Sequence, residues 1–352
     1  MKILHILRAP LGGAFRHVKD LARWQREQGH HVFIATAATD GGLGFDGPVV
    51  QIPKTCGPRD GYNLAKLLWF IRSQGIDVLH GHGAKGGLYA RILGMASGRG
   101  AFYTPHGGVL HYEKESWCGR AFFGVERRLQ PHTRHLFFES EFARSQYLDK
   151  VGALDLEHSV VHNGLKASDF QLPGSDERYS LGFIGELRHI KGVDRLIRAL
   201  DVWPDPGMRP RCLIAGIGPQ EEELKTMARE RGLEDHFHFA GFMDKAAFYS
   251  AVDLVVAPSR KDSLPYVVME ALAARVPVLA ADVGGIKEIF QPRPDLLMET
   301  PSPEVIAHRA HGVLQAPDRY RELLAPVFEH VIEAFDIDRA SARVTAAYGE
   351  TA

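Results

Sequence analysis

The stretch from Pro258 to Val278, PSRKDSLPYVVMEALAARVPV, decides the fold of this chain. A short apolar strand is predicted just before it at Asp253–Ala257, and a polar loop at Ser259–Ser263 follows. An apolar helix then begins with Pro265 in its first turn, where a missing N–H is tolerated. A second buried strand is predicted at Val276–Ala281. Strand, helix and strand in this order predict a parallel α/β unit.

Two acidic residues in this stretch are candidates for a binding site. Glu270 is surrounded by apolar residues, and a carboxylate is costly to bury unless it gains strong hydrogen bonds. Hydroxyl groups of a ligand would supply them, and Asp262 on the preceding loop would face the same crevice. Alternatively, Asp262 caps the helix and Glu270 pairs with an arginine or a lysine. The spacing alone leaves both interpretations open.

The length of the chain predicts a two-domain protein, and its two halves differ in net charge. The chain has 352 residues, which is more than one hydrophobic core usually serves. Residues 1–164 carry a net charge of +6 and residues 165–352 a net charge of −7. The basic half suggests an anionic partner, such as a phospholipid surface or a phosphorylated substrate. No basic stripe is interleaved with aromatic residues, so a nucleic acid partner is not expected.

The sequence also predicts the compartment. Its three cysteines show no metal or redox spacing, which fits a reducing cytoplasm. The N-terminal apolar run MKILHILR is too short for a signal peptide, and no run approaches the roughly 20 apolar residues needed to span a bilayer. We therefore expect a cytoplasmic protein, either free or peripheral on the inner face of the cell membrane.

Strands and helices alternate through both halves of the chain. The pattern predicts two doubly wound, Rossmann-like α/β domains that face a central cleft, with ligands at the carboxyl ends of the strands. The predicted parts are a first domain at 1–164, a linker at 165–178, a second domain at 179–335, and a C-terminal helix at 336–352 that packs back on the first domain.

Three features of the first half are candidates for function. Gly12 and Gly13 form a glycine turn between a strand and a helix, which suits either an anion or a plain tight turn. His106 follows a strand and precedes two glycines, where open α/β sheets place ligands. His80 and His82 flank another strand end and could bind a metal, but no third ligand has a suitable spacing, so no metal is expected.

The second half contains a stronger anion site. After the predicted strand 180–184, the turn from Gly185 to Gly192 brings Arg188 and Lys191 to the N-terminus of a helix. Charge, helix dipole and free N–H groups act together at such a site. A second glycine turn, Gly216 and Gly218, follows the next strand. We therefore expect the second half to bind a phosphorylated ligand with hydroxyl groups, such as a nucleotide sugar.

The stretch from Trp117 to Arg128 predicts a different kind of surface. It combines Trp117, Phe122 and Phe123 with arginines on its flanks. An interfacial helix uses such a face on anionic lipid. Alternatively, the aromatic residues lie in the core and the arginines are solvated, as in most amphipathic helices.

Several segments together resemble the GT-B retaining glycosyltransferases of family 4, and the resemblance covers nearly the whole chain. The segments are GFIGELRHIKGVDRLIRAL at 182–200, LIAGIGP at 213–219, HFAGF at 238–242, DLVVAPSRKDSLPYVVMEALAARVPVLAADVGGIKEI at 253–289, the Gly12-Gly13 loop, TPHG at 104–107 and VVHNG at 160–164.

The resemblance implies the role of each site residue. Lys191 matches the lysine that neutralises the leaving diphosphate, with Arg188 nearby, and Glu270 matches the glutamate on the donor ribose. Asp262 stands where the family has a glutamate for the sugar hydroxyls, and His106 matches the first-domain histidine that reaches the transferred sugar. The expected catalytic residues are His106, Lys191, Asp262 and Glu270. The expected donor-binding residues are Gly12, Gly13, Gly185, Arg188, Lys191, Gly216, Gly218, Asp262, Ser263, Leu264, Pro265 and Glu270.

The sequence departs from the family pattern at three positions. Asp262 replaces a glutamate, Ser263 stands where glycine is usual, and Glu186 stands where an arginine often follows the glycine. These changes bear on the donor sugar and on how the phosphates are contacted.

The implied function is a metal-independent, hexosyltransferase-like enzyme of bacterial-type cell-surface polysaccharide biosynthesis. It would need no cofactor, with a UDP- or GDP-sugar as co-substrate and a saccharide or lipid-linked saccharide as acceptor. A sugar-nucleotide epimerase of the same fold and a catalytically degenerate sugar-nucleotide-binding protein are the alternatives. An NAD-dependent oxidoreductase is disfavoured because the GxGxxG fingerprint is missing.

Overall fold

The computed structural model describes residues 1–10, 12–38, 44–55, 57–166, 172, 174 and 177–350. The chain divides into two compact units. The first unit comprises Met1–Gly164 with Ile337–Ala352, and the second comprises Leu165–Asp336. Much of the predicted linker at 165–178 lies outside the described residues.

The first unit is a parallel sheet of seven strands with helices between them. The strands run in the order β3-β2-β1-β4-β5-β6-β7. In chain order, the elements are β1 (Lys2–Leu7), α1 (Gly12–Glu27), β2 (His31–Thr36), β3 (Val49–Gln51), α2 (Asp60–Gln74), β4 (Val78–His82), α3 (Gly83–Ser97), β5 (Gly100–Thr104), α4 (Trp117–Leu129), β6 (His135–Phe138), α5 (Glu141–Lys150) and β7 (Glu157–Val160).

The second unit is a parallel sheet of five strands in the order β10-β9-β8-β11-β12. Its elements are β8 (Tyr179–Ile184), α6 (Val193–Asp201), β9 (Cys212–Ala215), α7 (Glu221–Glu230), β10 (Phe237–Gly241), α8 (Lys245–Ala251), β11 (Val252–Ala257), α9 (Tyr266–Ala273), β12 (Val278–Ala280), α10 (Ile286–Ile289), α11 (Pro303–Gln315) and α12 (Pro317–Ala334). The C-terminal helix, α13 (Ile337–Glu350), packs on α1 in the first unit.

The strand orders confirm the doubly wound α/β prediction for both halves. In each sheet the chain builds outward on one side, returns, and adds its next strand on the other side of the first one. The order therefore reverses between β1 and β4 in the first unit, and between β8 and β11 in the second. Ligands in open α/β sheets bind outside the carboxyl ends of the strands at such reversal points.

Burial explains why these strands are almost wholly apolar. Strands β8, β9 and β11 are covered by helices, and all of their residues are buried or half-buried, as expected for a parallel sheet. The core of the second unit extends from Leu181 and Ile214 to Leu324 and Val327 on α12, its last helix. Within the described part of the chain, no helix is both long and apolar enough to cross a membrane.

One prediction about the strands was wrong. His80 and His82 were expected to flank a strand end, but β4 continues through both residues, and both are buried. Side chains two apart on a strand point to the same face, so the two imidazoles share one face of the sheet. Their rings lie 4.1 Å apart, centre to centre.

Candidate functional site

The carboxyl ends of β8 and β11 bring Lys191 and Asp262 together. Lys191 Nζ donates a hydrogen bond to Asp262 Oδ2 over 2.7 Å, and Ser259 Oγ contacts the same oxygen at 3.2 Å. The side chains are 23% and 14% exposed, so the pair is reachable but largely shielded from water. The two residues come from loops on either side of the strand-order reversal in the second unit. The structure thus joins the two strongest sequence candidates in one place.

A second ion pair fastens the loop after β11 to the first turn of α6. Both terminal guanidinium nitrogens of Arg260 donate to the carboxylate of Asp194, over 2.6 and 2.7 Å. Burial alone would raise the pKa of Asp194, but the hydrogen bonds from Arg260 outweigh burial and hold that pKa below its usual range. The backbone N–H of Arg260 also donates to the carbonyl of Ile190 over 2.7 Å. Sequence analysis did not identify Arg260, because its partner lies 66 residues away.

Two glycines allow the loops to pack this closely. Gly192 adopts φ +75°, and a Cβ there would lie 2.2 Å from the carbonyl oxygen of Pro258. Gly284 adopts φ +63°, and a Cβ there would lie 1.7 Å from the carbonyl oxygen of Asp262. Neither position can hold another residue without moving the backbone. Gly284 therefore helps to fix Asp262, a role that the sequence alone does not reveal because the two residues are 22 positions apart.

The remaining predicted donor-binding residues differ in their burial and in their contacts. Leu264 is buried and Pro265 occupies the N-cap position of α9. A Cβ at Gly216 would lie 1.9 Å from the carbonyl oxygen of Gly185, so the glycine turns after β8 and β9 touch each other. Arg188 is about half exposed, and its nearest acid is Glu186 at 3.6 Å. Arg188 and Lys191 thus have different acidic partners.

Glu270 is fully buried on α9 and has protein partners. The ammonium group of Lys245 contacts Oε1, and the hydroxyl of Tyr249 donates to Oε2 over 3.0 Å. A lysine partner is one of the two alternatives that the sequence left open for Glu270. The companion alternative for Asp262, a helix cap, is wrong: Asp262 bonds Lys191, and the N-cap position is Pro265, with no side-chain cap.

This edge of the second unit can bind an anion together with hydroxyl groups. Lys191 and the N-terminus of α6 supply positive charge beside one strand end. The carboxylate of Asp262 is partly exposed and is a strong hydrogen-bond acceptor for hydroxyl groups.

The first unit holds a second cluster, made of histidines. His5 on β1, His80 and His82 on β4, and His17 on α1 are buried, and the half-buried His106 follows β5. His106 adopts φ +49°, an uncommon conformation for a residue with a Cβ. Gly12 begins α1 with φ +70°, and Gly13 is exposed. The cluster lies where the strand order reverses between β1 and β4.

Burial keeps these imidazoles neutral. It lowers the pKa of His5 to about 4 and, with repulsion from His5, the pKa of His17 to about 4. Burial, reinforced by neighbouring histidines, also holds the pKa values of His80, His82 and His106 well below their usual range. Each ring therefore offers one donor and one acceptor nitrogen at neutral pH.

Hydrogen bonds occupy most of the nitrogens that a metal would need. Ligand nitrogens of His5, His80 and His82 lie within 4.8 Å of one another, as do those of His17, His82 and His106. Both nitrogens of His80 are already used, by Tyr348 at 2.5 Å and by Thr104 at 2.9 Å. Among the described residues, Nδ1 of His17 is buried without a partner. The sequence pointed to His80, His82 and His106 separately, but it did not predict that they meet His5 and His17, because the five residues come from four separate segments.

The helix α4 divides its aromatic residues between core and surface. Phe123 is buried, whereas Trp117 is 83% exposed and Phe122 stacks on the exposed Tyr112 with ring centres 4.9 Å apart. Arg120 and Arg128 are exposed on the same helix. The buried Glu126 pairs with the buried Arg91 and fastens α4 to α3. Each of the two interpretations of this helix therefore applies to part of it.

Comparison with known families matches both halves of the chain. A family model described as "Glycosyltransferase Family 4" matches residues 11–168. A second model, described as "Glycosyl transferases group 1", matches residues 166–324.

Curated relatives align over most of the chain. The O-antigen biosynthesis glycosyltransferase WbnH of Escherichia coli is 25% identical over 328 residues, which cover 90% of this chain and 91% of WbnH. The putative glycosyltransferase EpsD of Bacillus subtilis is 26% identical over 329 residues, covering 86% of this chain and 84% of EpsD.

Solved structures share the fold. The crystal structure of Anabaena Alr3699/HepE in complex with UDP-glucose superposes with a TM-score of 0.84 at 20% identity, covering 99% of this chain and 100% of HepE.

Proposed function

The chain belongs to the family 4 glycosyltransferases with the GT-B fold, and we propose that it transfers a sugar from a nucleoside diphosphate donor with retention of anomeric configuration. The observation that carries the proposal is the Lys191–Asp262 pair at the strand-order reversal of the second unit, close along the chain to the buried Glu270. A cation for a diphosphate and acceptors for hydroxyl groups are what a nucleotide sugar requires.

The donor is proposed to be a UDP-sugar, with a GDP-sugar as the second candidate. The similar Anabaena protein was crystallised with UDP-glucose, which supports UDP as the first nucleotide to test. The departures at Asp262, Ser263 and Glu186 lie around the proposed phosphate and sugar positions, so they bear on the sugar rather than on the fold.

Catalysis follows from the charges at this edge. When the glycosidic bond breaks, negative charge grows on the leaving diphosphate. The ammonium group of Lys191, oriented by Asp262, and the N-terminus of α6 are fixed in place before that charge develops. Preorganised positive charge of this kind stabilises the transition state more than the ground state. We infer that it serves in place of a divalent cation.

Each acidic residue has a proposed substrate partner. Glu270, held by Lys245 and Tyr249, accepts hydrogen bonds from the donor ribose. Asp262 accepts hydrogen bonds from hydroxyl groups of the transferred sugar. His106 contacts the same sugar. The acceptor oxygen bonds to the anomeric carbon from the face that the diphosphate leaves, and the leaving phosphate oxygen takes the acceptor's proton, so no protein base is needed.

The proposed acceptor is a saccharide or a lipid-linked saccharide in cell-surface polysaccharide biosynthesis. The name of WbnH links that relative to O-antigen biosynthesis, and this similarity supports the assignment. The positive net charge of residues 1–164 suits an acceptor that carries phosphate or lies on an anionic membrane.

We propose that the surface formed by Trp117, Arg120 and Arg128, which share one exposed face of α4, rests on anionic lipid. The full chain should sediment with vesicles containing phosphatidylglycerol at low salt and less so at 0.5 M salt, because salt screens surface charge. Trp117→Ala should weaken this binding. The matched control is Trp69→Ala, which removes a tryptophan that is 70% exposed on α2. Equal binding by both variants, or no binding at low salt, would exclude this surface.

Replacing Glu270 with glutamine should weaken donor binding. Glutamine keeps the volume but removes the charge, and Lys245 is 45% exposed, so its ammonium group can turn to water. Loss of a charge-assisted hydrogen bond of about 1.5–3 kcal/mol should raise the donor Kd by roughly 10- to 100-fold. Calorimetric titration with UDP-glucose measures this, with Glu329→Gln on the exposed face of α12 as the control. An unchanged Kd would remove Glu270 from the site.

The test of the proposed function is the product of the reaction. The protein is incubated with a UDP-sugar and lipid-linked saccharides from bacterial membranes, and proton NMR follows the anomeric signals. Release of UDP with a new glycoside of unchanged anomeric configuration is the expected result. Inversion would contradict the retaining mechanism. An isomeric nucleotide sugar without UDP release would identify an epimerase, and binding without any turnover would identify a degenerate binding protein.

A further inference from the structure

Three histidines and a glutamine of the first unit form a continuous line of hydrogen bonds. Gln25 Oε1 lies 2.8 Å from His5 Nε2, and His5 Nδ1 lies 3.0 Å from His82 Nε2. His82 Nδ1 lies 3.0 Å from His106 Nε2. The line begins at a fully buried carboxamide on α1 and ends at the half-buried ring after β5.

The first acceptor of this line determines which nitrogen of each histidine carries the proton. The carbonyl oxygen of Gln25 can only accept, so His5 Nε2 carries the proton and His5 Nδ1 accepts. His82 must then donate from Nε2 and accept at Nδ1, which requires a proton on His106 Nε2. The last free nitrogen, His106 Nδ1, is left without a proton. Among the described residues it has no hydrogen-bond partner, so it is available to a ligand.

We propose that Gln25, His5 and His82 are positioning residues that fix His106 as a neutral ring whose outer nitrogen, Nδ1, can only accept a hydrogen bond. The substrate side of this inference rests on the proposed function. A sugar hydroxyl can donate to Nδ1, whereas the carboxylate of a uronic acid cannot. The line therefore selects a transferred sugar with a hydroxyl, rather than a carboxylate, at the position that His106 reaches.

The C-terminal helix holds the inner end of the line. Gln25 Nε2 donates to Thr345 Oγ1 over 3.1 Å, while the carbonyl oxygen of Gln25 faces His5. The same helix contacts the neighbouring His80 through Tyr348, 2.5 Å away. A helix distant in sequence thus contacts both the first residue of the line and a histidine beside it.

The position of the proton is measured by nitrogen NMR on the full chain with labelled histidine. Comparison with His106→Gln assigns the signals of His106. At pH 7 the expected spectrum shows a protonated Nε2 and an unprotonated Nδ1. A proton on Nδ1, a mixture of both tautomers, or a positively charged ring would overturn the proposal. So would a stoichiometric metal on His82 and His106, because it would occupy the nitrogens that form the line.

Variants within the line test its direction. His82→Gln keeps one donor and one acceptor, so the His106 tautomer should be retained, whereas His82→Leu should give a mixture. If His82→Leu does not fold, Gln25→Leu removes the inner acceptor and should give the same mixture. His132→Gln, at an exposed histidine of the same unit, is the matched control. If a folded His82→Leu or Gln25→Leu protein retains a single tautomer of His106, the line of hydrogen bonds does not fix that tautomer and the proposal is refuted.

Kinetics test the substrate side separately. With UDP-glucose, His82→Leu should lower kcat/KM by about tenfold, the value of one neutral hydrogen bond, and His82→Gln should restore it. The wild-type preference for UDP-glucose over UDP-glucuronate should narrow in His82→Leu, because a freed His106 can donate. If the wild type has the predicted His106 tautomer but His82→Leu keeps the same preference for UDP-glucose over UDP-glucuronate, only the proposed selection of the sugar is refuted. A different tautomer in an active transferase would refute the line and leave the proposed function standing.

Discussion

Replacing Lys191 with methionine should lower kcat by about 10²- to 10³-fold, which is the usual cost of removing one preorganised group that stabilises transition-state charge. Methionine preserves most of the length and packing of the side chain but removes the ammonium group that bonds Asp262. Because both partners are partly exposed, water can solvate Asp262 in the variant, and the fold should persist. UDP release with a saccharide acceptor measures the rate, and a thermal unfolding scan verifies folding.

Two further variants test whether the effect depends on the location of the lysine and on its positive charge. Lys225→Met removes a lysine that pairs with Glu221 and Glu222 on α7, and its kcat should equal that of the wild type. Lys191→Arg keeps the charge and should retain part of the activity. A Lys191→Met protein that is folded and fully active would mean that the leaving group is stabilised elsewhere.

Stability of the first unit should fall steeply below pH 6.5. The pKa of His5 and of His17 is about 4, and those of His80 and His82 lie well below their usual range, because all four rings are buried. Between pH 6.5 and the folded-state pKa, the unfolded chain binds protons that the folded chain does not. Stability is therefore full above pH 6.5 and is lost as pH decreases, by about 1.4 kcal/mol per pH unit for each histidine. Four such rings together give roughly 5 kcal/mol per pH unit near pH 5.

Hydrogen exchange of peptides from each unit measures this dependence. Protection of β1 and β4 should fall far more between pH 7 and pH 5 than protection of β8 and β11, after correction for the intrinsic exchange rate. His82→Gln removes one titrating ring and should reduce the slope for the first unit by about 1.4 kcal/mol per pH unit. Equal slopes in the two units would show that the buried rings are protonated without penalty.

The sequence predicted the alternating architecture because the local signals agree with the fold. The segment Val252–Ala257 is a continuous apolar run bounded by polar residues, and parallel strands covered on both faces require this pattern. Lys191 and Asp262 were predicted for one site because each follows a strand of an α/β unit, and the carboxyl ends of parallel strands share one edge.

Partners distant in the sequence could not be predicted. Glu270 was recognised as an unusual buried acid, but its lysine lies 25 residues earlier on another helix, and no spacing rule connects the two. The line from Gln25 to His106 joins a helix, two strands and the turn after a third strand, and Gln25 at its inner end bonds Thr345, which is 320 residues away. One signal was available: His80 and His82 are two apart in an apolar strand, which places both rings on one face.

The most direct test of the account is a binding panel of UDP-, GDP-, ADP- and dTDP-sugars on the full chain, followed by thermal unfolding. One nucleotide sugar at about a hundred times its Kd should add roughly 2.7 kcal/mol of stability. The shift should fall by about half or more in Lys191→Met and Glu270→Gln and should persist in Lys225→Met. A shift that survives both site variants, or no shift with any nucleotide sugar, would contradict the proposed donor site in the second unit.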